Sequence, residues 1–324
     1  MFNSRSISFA ITTFLLCPFW ITPTQASTFA PPSGKTLLLV GQDKKTIDAY
    51  VQGTGRVPGG VMMYTSIQKM EGLEEQADCG SGCQFGNALL TTYPQSVVQV
   101  GLYMVNALGD ILDGKYDGNL KKLSRWLKRA KRPVYLRIGY EFDYVKNDYS
   151  PAQYKAVFRY IVDFFRREKV TNAAYVWHAY SVLDVNRPWM DWYPGDEYVD
   201  WFGVSIFSGG QLYGAERFRA LAAEHRKPFM IAESSPMGIY IVRSQVNWLK
   251  HLFDFIDQQK VDAWCYINSN WDILPMYKGW SWGDARIEKT PEVKDLWLKE
   301  TGQDRYLKAS KDLFEMLGYT SSIK

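Results

Sequence analysis

Histidine is nearly missing from this sequence. Only His178, His225 and His251 occur in 324 residues, and no two stand at ligand spacing, whereas a structural zinc needs four donors. Neither a metal site nor an organic cofactor is expected. Cysteine is also scarce, at four residues. Two of them, Cys79 and Cys83, sit in DCGSGC, where a glycine-containing loop makes a short-range bridge sterically easy. A Cys79–Cys83 disulfide is therefore the favoured pairing. Charge of one sign never accumulates: 38 basic against 34 acidic residues leave +4, without a basic stripe. That excludes the usual footprint of phosphate-backbone binding, so nucleic acid is not an expected partner. The phosphate loops GxGxxG and GxxxxGK(S/T) are absent as well. So is any apolar run long enough for a comfortable membrane span.

The chain begins MFNSRSISFAITTFLLCPFWITPTQAS, with Arg5 ahead of an apolar run and Thr24-Gln25-Ala26 behind it. This is the pattern of a secretory signal cleaved after Ala26. Residues 1–26 are read as that signal and 27–324 as one mature domain, secreted or periplasmic. Pro18 and Pro23 interrupt the apolar run, and Cys17 follows Leu15-Leu16 rather than the small residue that lipidation wants. No membrane anchor is expected, and the mature protein is expected to be a monomer. Aromatic residues are plentiful, at 12 Trp, 21 Tyr and 17 Phe. Such rings fill cores, and they also stack on the apolar faces of sugars.

Short apolar runs alternate with amphipathic segments along the whole mature chain. The runs are KTLLLVGQ, GGVMMYTSI, SVVQVGLYMV, PVYLRIGYE, AAYVWHAY, VDWFGVSIF, PFMIAESS and VDAWCYIN. Between them the helical pattern is clearest in SPAQYKAVFRYIVDFFRRE, where Tyr154, Val157, Phe158, Ile161, Phe164 and Phe165 share one face behind a Ser150-Pro151 start. Strand and helix in alternation imply a parallel sheet, and eight units favour an α/β fold of the closed (β/α)8 TIM-barrel type. The second crossover, carrying the CGSGC loop, reads as the least regular.

Active sites of such barrels lie at the C-terminal ends of the strands. Alternation puts Arg137, Gly139 and Glu141 on one face of PVYLRIGYE, and Phe229, Ile231 and Glu233 on one face of PFMIAESS. Two carboxylates then converge on one mouth, which is the equipment of glycosidic hydrolysis. A salt-bridged rim glutamate and a strand-end cap are the plainer readings of the two. Of Trp177 and His178, one faces the mouth and its neighbour packs outward. Trp271 is placed either as a stacking platform or in the core. Tyr266 and Asn268 share a strand face from which they reach substrate hydroxyls, and Trp280, Trp282, Asp284 and Arg286 follow as cleft lining or rim packing. Asp143 either raises the proton affinity of Glu141 or caps the following loop. Gln42-Asp43 forms a turn or a polar wall.

The motifs RIGYEFD on the fourth strand, WYPGDEYVDWFGVSIF on the sixth and KPFMIAESSP on the seventh resemble glycoside hydrolase family 26, nearest its endo-β-1,3-xylanase branch. The resemblance runs from LLLVGQD to WGDAR. It implies a retaining endo-glycosidase acting on a β-linked polysaccharide, with Glu141 as general acid/base and Glu233 as nucleophile. The alternatives are β-1,3-xylan, β-mannan, a bacterial exopolysaccharide, or carbohydrate binding without turnover. Three departures stand out: Tyr140 where the family's mannanases carry His, Phe207 where a tyrosine often holds the nucleophile, and YVKNDYSP after the acid/base. Ser205 or Tyr266 would then supply the donor that Phe207 lacks. Arg137, Tyr140, Trp177, His178, Ser205, Phe207, Tyr266, Asn268, Trp271 and Trp282 make up the expected substrate-binding set.

Overall fold

The molecule is seen here as a computed structural model that describes residues 29–320. The expected signal segment, 1–26, lies outside the described residues. All eight expected strands form: β1 Thr36–Gly41, β2 Gly60–Ser66, β3 Val97–Tyr103, β4 Val134–Ile138, β5 Ala173–Ala179, β6 Trp201–Ile206, β7 Phe229–Ser234 and β8 Ala263–Ile267. Each pairs in parallel with the next, and β8 returns to β1 with Leu37 opposite Ala263 and Leu39 opposite Cys265. The sheet is thereby closed into a (β/α)8 TIM barrel. A short strand near the C-terminus, Tyr306–Leu307, pairs alongside β1 and was not foreseen.

Helices follow the strands in turn. They are α1 Lys44–Thr54, α2 Gly86–Thr92, α3 Asp117–Ala130, α4 Pro151–Arg167, α5 Gly209–Glu224, α6 Val242–Gln259 and α7 Pro291–Thr301. In α4 the proline occupies the first turn, where its missing N–H has no helical partner to lose. Its apolar face is buried as the periodicity requires, and Arg166 and Arg167 complement the dipole at the other end. Asp43 turns out to cap α1, accepting from Lys45 N at 2.9 Å and Thr46 N at 3.2 Å.

Two expectations about regularity are corrected. Between β2 and α2 the chain makes a small hairpin, Ala77–Asp78 against Cys83–Gln84, and then a short helix. The crossover without an α-helix is the fifth, which carries only the 3-10 turn Trp189–Trp192. The Cys79–Cys83 bridge is not formed, and both are free thiols. Hairpin register explains this, because it sets Cys83 opposite Asp78 while the Cys79 thiol faces the Ala77 carbonyl.

Period-2 alternation divides the apolar residues into two cores. Leu38, Val40, Leu136, Trp177, Phe202, Trp264 and Tyr266 face the helices. Leu37, Leu39, Met62, Tyr135, Val176, Trp201, Met230 and Cys265 fill the barrel. The bottom of the barrel is plugged by Phe29 with Phe314, Leu317 and Tyr319, and Tyr135 donates to the Phe29 carbonyl at 2.7 Å.

The fifth loop is locked to α5 by a backbone contact that only glycine permits. A Cβ on Gly214 would stand 1.9 Å from the Ser181 carbonyl oxygen. Gly214→Ala is therefore expected to destabilise the fold by about 1–3 kcal/mol, the usual range for overpacking. A lowered urea midpoint with unchanged m-value would report it.

Candidate active site

Neither glutamate reaches the mouth by the alternation that pointed to it. In β4, Tyr135 faces the barrel interior while Leu136 and Ile138 face the helices. The strand ends at Ile138, and the chain then bends through two left-handed residues, Gly139 at φ 56° and Glu141 at φ 53°. A Cβ on Gly139 would lie 2.4 Å from the Met104 methyl, so the bend needs glycine for space as well as for φ. Asn147 steadies the second left-handed residue, its Nδ2 donating to the Glu141 carbonyl at 2.9 Å. Glu141 is thus carried over the mouth by a built turn rather than by a strand face.

On β7 the correction is sharper. Phe229 and Ile231 pack outward against the helices, while Met230 and Ala232 face inward, so strict alternation would aim Glu233 out of the barrel. The register slips between β6 and β7: Val204 opposes Ile231, but Ser205 opposes Glu233. One extra residue, Ala232, is accommodated as a bulge, a device that re-aims a side chain. Its freed carbonyl accepts from the inward-facing Gln99 amide at 2.8 Å. Glu233 is thereby turned to the interior, where 6% of its surface remains exposed.

Beneath Glu233 lies Arg137, fully buried, whose Nη1 donates to Glu233 Oε1. The same nitrogen lies 3.3 Å from His178 Nδ1. A guanidinium can only donate, so Nδ1 accepts and the His178 proton resides on Nε2. That Nε2 is 3.0 Å from Ser205 Oγ, and Ser205 in turn donates to Glu141 Oε1 at 2.7 Å. The aromatic faces of Tyr64 and Tyr140 flank the guanidinium, at 5.2 and 5.0 Å from Cζ to the ring centroids. Ser205 therefore serves Glu141 and not Glu233; the donor to Glu233 is Arg137.

Burial, then the charge of Glu233, pushes the Glu141 carboxyl up to about 8, and the Ser205 hydrogen bond pulls the other way. Asp143 adds to the upward push. It is itself raised to about 6 by burial, while accepting from Tyr180 N at 2.5 Å and Trp189 Nε1 at 2.9 Å. Both readings of Asp143 hold in modified form: it tunes Glu141, and it anchors the fifth loop. Burial and the adjacent Arg137 charge hold the His178 imidazole well below its ordinary value, so it is neutral.

Several expected substrate-binding residues prove to be structural. Trp177 is the outward member of its pair, stacked on Phe142 with centroids 4.6 Å apart, while His178 points in. Tyr266 also faces outward and donates to the Ala285 carbonyl. Asn268 staples the eighth loop, donating to Thr46 O and Glu288 Oε2 and accepting from Ile287 N at 2.8 Å. Trp271 is buried with its Nε1 on Ser235 Oγ, and Tyr277 and Trp282 pack against its ring. Phe207 lies behind Trp282, at 5.2 Å, leaving Trp282 partly open. Asp284 and Arg286 pair with each other. Tyr140 lies beside Arg137 between the two glutamates' supports, its ring tilted 29° from that of His178.

Two site tyrosines escaped the sequence reading. Tyr64 lies two residues before the end of β2 and feels the charge of Glu233, and Tyr277 in the eighth loop feels both glutamates. Its inward phase with Met62, in the upper half of β2, is the signal that would have found Tyr64. Nothing local marks Tyr277. Farther out, Lys146 of the fourth loop sits 4.8 Å over the Trp280 ring of the eighth, so loops from opposite sides of the barrel touch across the mouth. Among the described residues, no group of three or more His, Cys, Asp or Glu could hold a metal, and no helix is long and apolar enough to cross a membrane.

Comparison with known proteins bears directly on this geometry. A family model for glycosyl hydrolase family 26 matches residues 118–278. A β-1,3-xylanase TXYA of a Vibrio species is 30% identical over 322 residues, covering 90% of this chain and 70% of that protein. A β-1,3-xylanase of an Alcaligenes species is 29% identical, with 90% and 68% covered. In fold, the chain resembles a family 26 β-mannanase of Bacteroides ovatus with a TM-score of 0.63 at 15% identity, over 90% of this chain and 94% of that one. An endo-β-1,4-mannanase of Cellulomonas fimi gives 0.63 at 16%, over 87% and 74%.

The raised Glu141 carboxyl makes stability depend on pH. Between the ordinary glutamate range and about 8, the folded state holds this proton more tightly than the unfolded chain does. Stability is accordingly lost as pH rises through that window. Glu141→Gln, which cannot ionise, should raise Tm at pH 8 by more than at pH 5 in scanning calorimetry.

Proposed function

The chain belongs to glycosyl hydrolase family 26, and from that premise we propose that it is a retaining endo-glycosidase of a β-linked polysaccharide, β-1,3-xylan first. The observation that carries the reading is the pair of carboxylates at one mouth in opposite environments. Glu233 is paired with a buried guanidinium, and Glu141 is pushed up so that it keeps its proton at neutral pH. A nucleophile needs the first environment and a general acid needs the second.

In the first step Glu233 attacks the anomeric carbon while Glu141 gives its proton to the departing glycosidic oxygen. The bond to the leaving sugar breaks as the ester to Glu233 forms. Esterification removes the Glu233 charge, which is the second cause of the raised Glu141 value, so Glu141 is free to remain ionised. It then takes a proton from water, which attacks the ester and restores the original configuration. The likeness to the two β-1,3-xylanases favours β-1,3-xylan. Tyr140 stands where mannanases of the family carry His, a difference that speaks for β-1,3-xylan over β-mannan, which stays the alternative. Trp282, Tyr277 and Tyr140 offer aromatic surface to the sugar rings. The N-terminal pattern supports export to the periplasm or beyond.

Product analysis on β-1,3-xylan, mannan, mixed-linkage glucan and bacterial exopolysaccharides tests the substrate. Xylo-oligosaccharides from β-1,3-xylan are expected, and release from mannan alone would overturn that choice. Glu233→Ala should lower kcat by roughly 10⁴-fold or more, with azide restoring turnover as the inverted glycosyl azide. Glu141→Ala should lose about 10²–10⁴-fold on poor leaving groups and far less on activated aryl glycosides. Full activity in either variant sinks the role given to that residue.

A further inference from the structure

We propose that His178 and Ser205 are positioning residues that carry the support of Arg137 to Glu141, so that one guanidinium serves whichever glutamate is ionised. The inference rests on Glu141 as acid/base and Glu233 as nucleophile, and adds what links them. Every donor in the chain of contacts points the same way. Arg137 Nη1 donates to His178 Nδ1 at 3.3 Å, His178 Nε2 to Ser205 Oγ at 3.0 Å, and Ser205 to Glu141 Oε1 at 2.7 Å. The second hydrogen of the same Arg137 nitrogen goes to Glu233.

All four side chains stand on adjacent strands of the barrel or at its upper edge, where the relay members Arg137, His178 and Ser205 are fully buried. Water is kept from the links among Arg137, His178 and Ser205, while Glu141 at the end of the relay is partly open to the mouth. In the resting enzyme the anion is Glu233, which Arg137 meets directly. As the glycosyl ester forms, negative charge leaves Glu233 and appears on Glu141 when its proton departs. Aligned donors polarise one another, so the new anion is stabilised through Ser205 and His178 without any proton moving along the relay. The neutral imidazole is essential, because an imidazolium would need an acceptor at Nδ1 and would meet Arg137 instead.

Other groups around Glu141 bear on its proton. Glu233 from β7 and Asp143 from the fourth loop raise its affinity, and Arg137 lowers it. The hydroxyls of Tyr140 and Tyr149 on the fourth loop, Tyr180 on the fifth and Tyr277 on the eighth also sense its charge. Among the described residues, Ser205 is the side chain with a hydrogen bond that stabilises the Glu141 anion.

Ser205→Ala is therefore expected to move the alkaline limb of kcat/KM upward by about one pH unit, the effect of losing one charge-assisted hydrogen bond. Glycosyl-enzyme hydrolysis should slow, since Glu141 becomes harder to keep ionised, and the ester should accumulate with an activated aryl glycoside. His178→Phe should move the limb the same way by less, and Ser205→Thr should restore it. In the native protein, ¹⁵N NMR should find His178 neutral with its proton on Nε2 from pH 5 to 9, which needs no variant to fold. An unmoved limb in folded Ser205→Ala, or a proton on Nδ1, overturns the proposal. Loss of activity in Glu141→Ala alongside an unmoved limb refutes the relay alone, whereas full activity in Glu141→Ala refutes the acid/base role beneath it.

Discussion

A full positive charge buried in the middle of a closed barrel is the constraint around which this molecule is arranged. Arg137 stands where apolar side chains fill most of the interior, and a charge left there unanswered would cost several kcal/mol. Glu233 answers it, Tyr64 and Tyr140 lay their ring faces on it, and Met62 and His178 complete its surroundings. Removing any of these would leave a buried ion short of partners. The same arrangement fixes Glu233 in orientation before any sugar arrives, which is the preorganisation catalysis requires.

The two glutamates pay for their positions in backbone irregularity. Glu233 depends on the slip at Ala232, and Glu141 on two left-handed residues in three. Regular strands would have sent one carboxylate outward into the helical layer and left the other at the end of an extended segment. Both deviations are held by neighbours outside the chemistry, Gln99 at the bulge and Asn147 at the turn. Strain and irregular geometry gathered at a site and braced from its surroundings is a general pattern of functional folds.

How much of this was legible in the sequence follows from the same physics. Eight β-runs and their closure were readable because burial on both sides of a parallel strand writes itself as unbroken apolar residues. Glu141 and Glu233 were singled out by alternation, which ends at Ile138 before it reaches Glu141 and which Glu233 violates. Tyr266 and Asn268 were misread because a strand-end residue one position out of phase faces away from the mouth, and the choices left open at Trp177 and Trp271 fell to packing. The relay was out of reach: Arg137, His178 and Ser205 lie on three strands, and nothing local says that their side chains meet. The fifth crossover lost its α-helix in a segment rich in Trp and Pro that packs by side chains instead.

The Lys146 and Trp280 pair has a consequence for traffic. Loops that rise from diametrically opposed strands and touch overhead convert a trough into a roofed passage. A polymer then enters either end-first beneath the roof or sideways while the roof is parted. An exposed contact of this kind is worth about 0.5–1 kcal/mol, which is of the order of thermal energy and a weak latch. A latch that weak holds the two loops in register above the mouth without sealing it against a chain as large as a polymer.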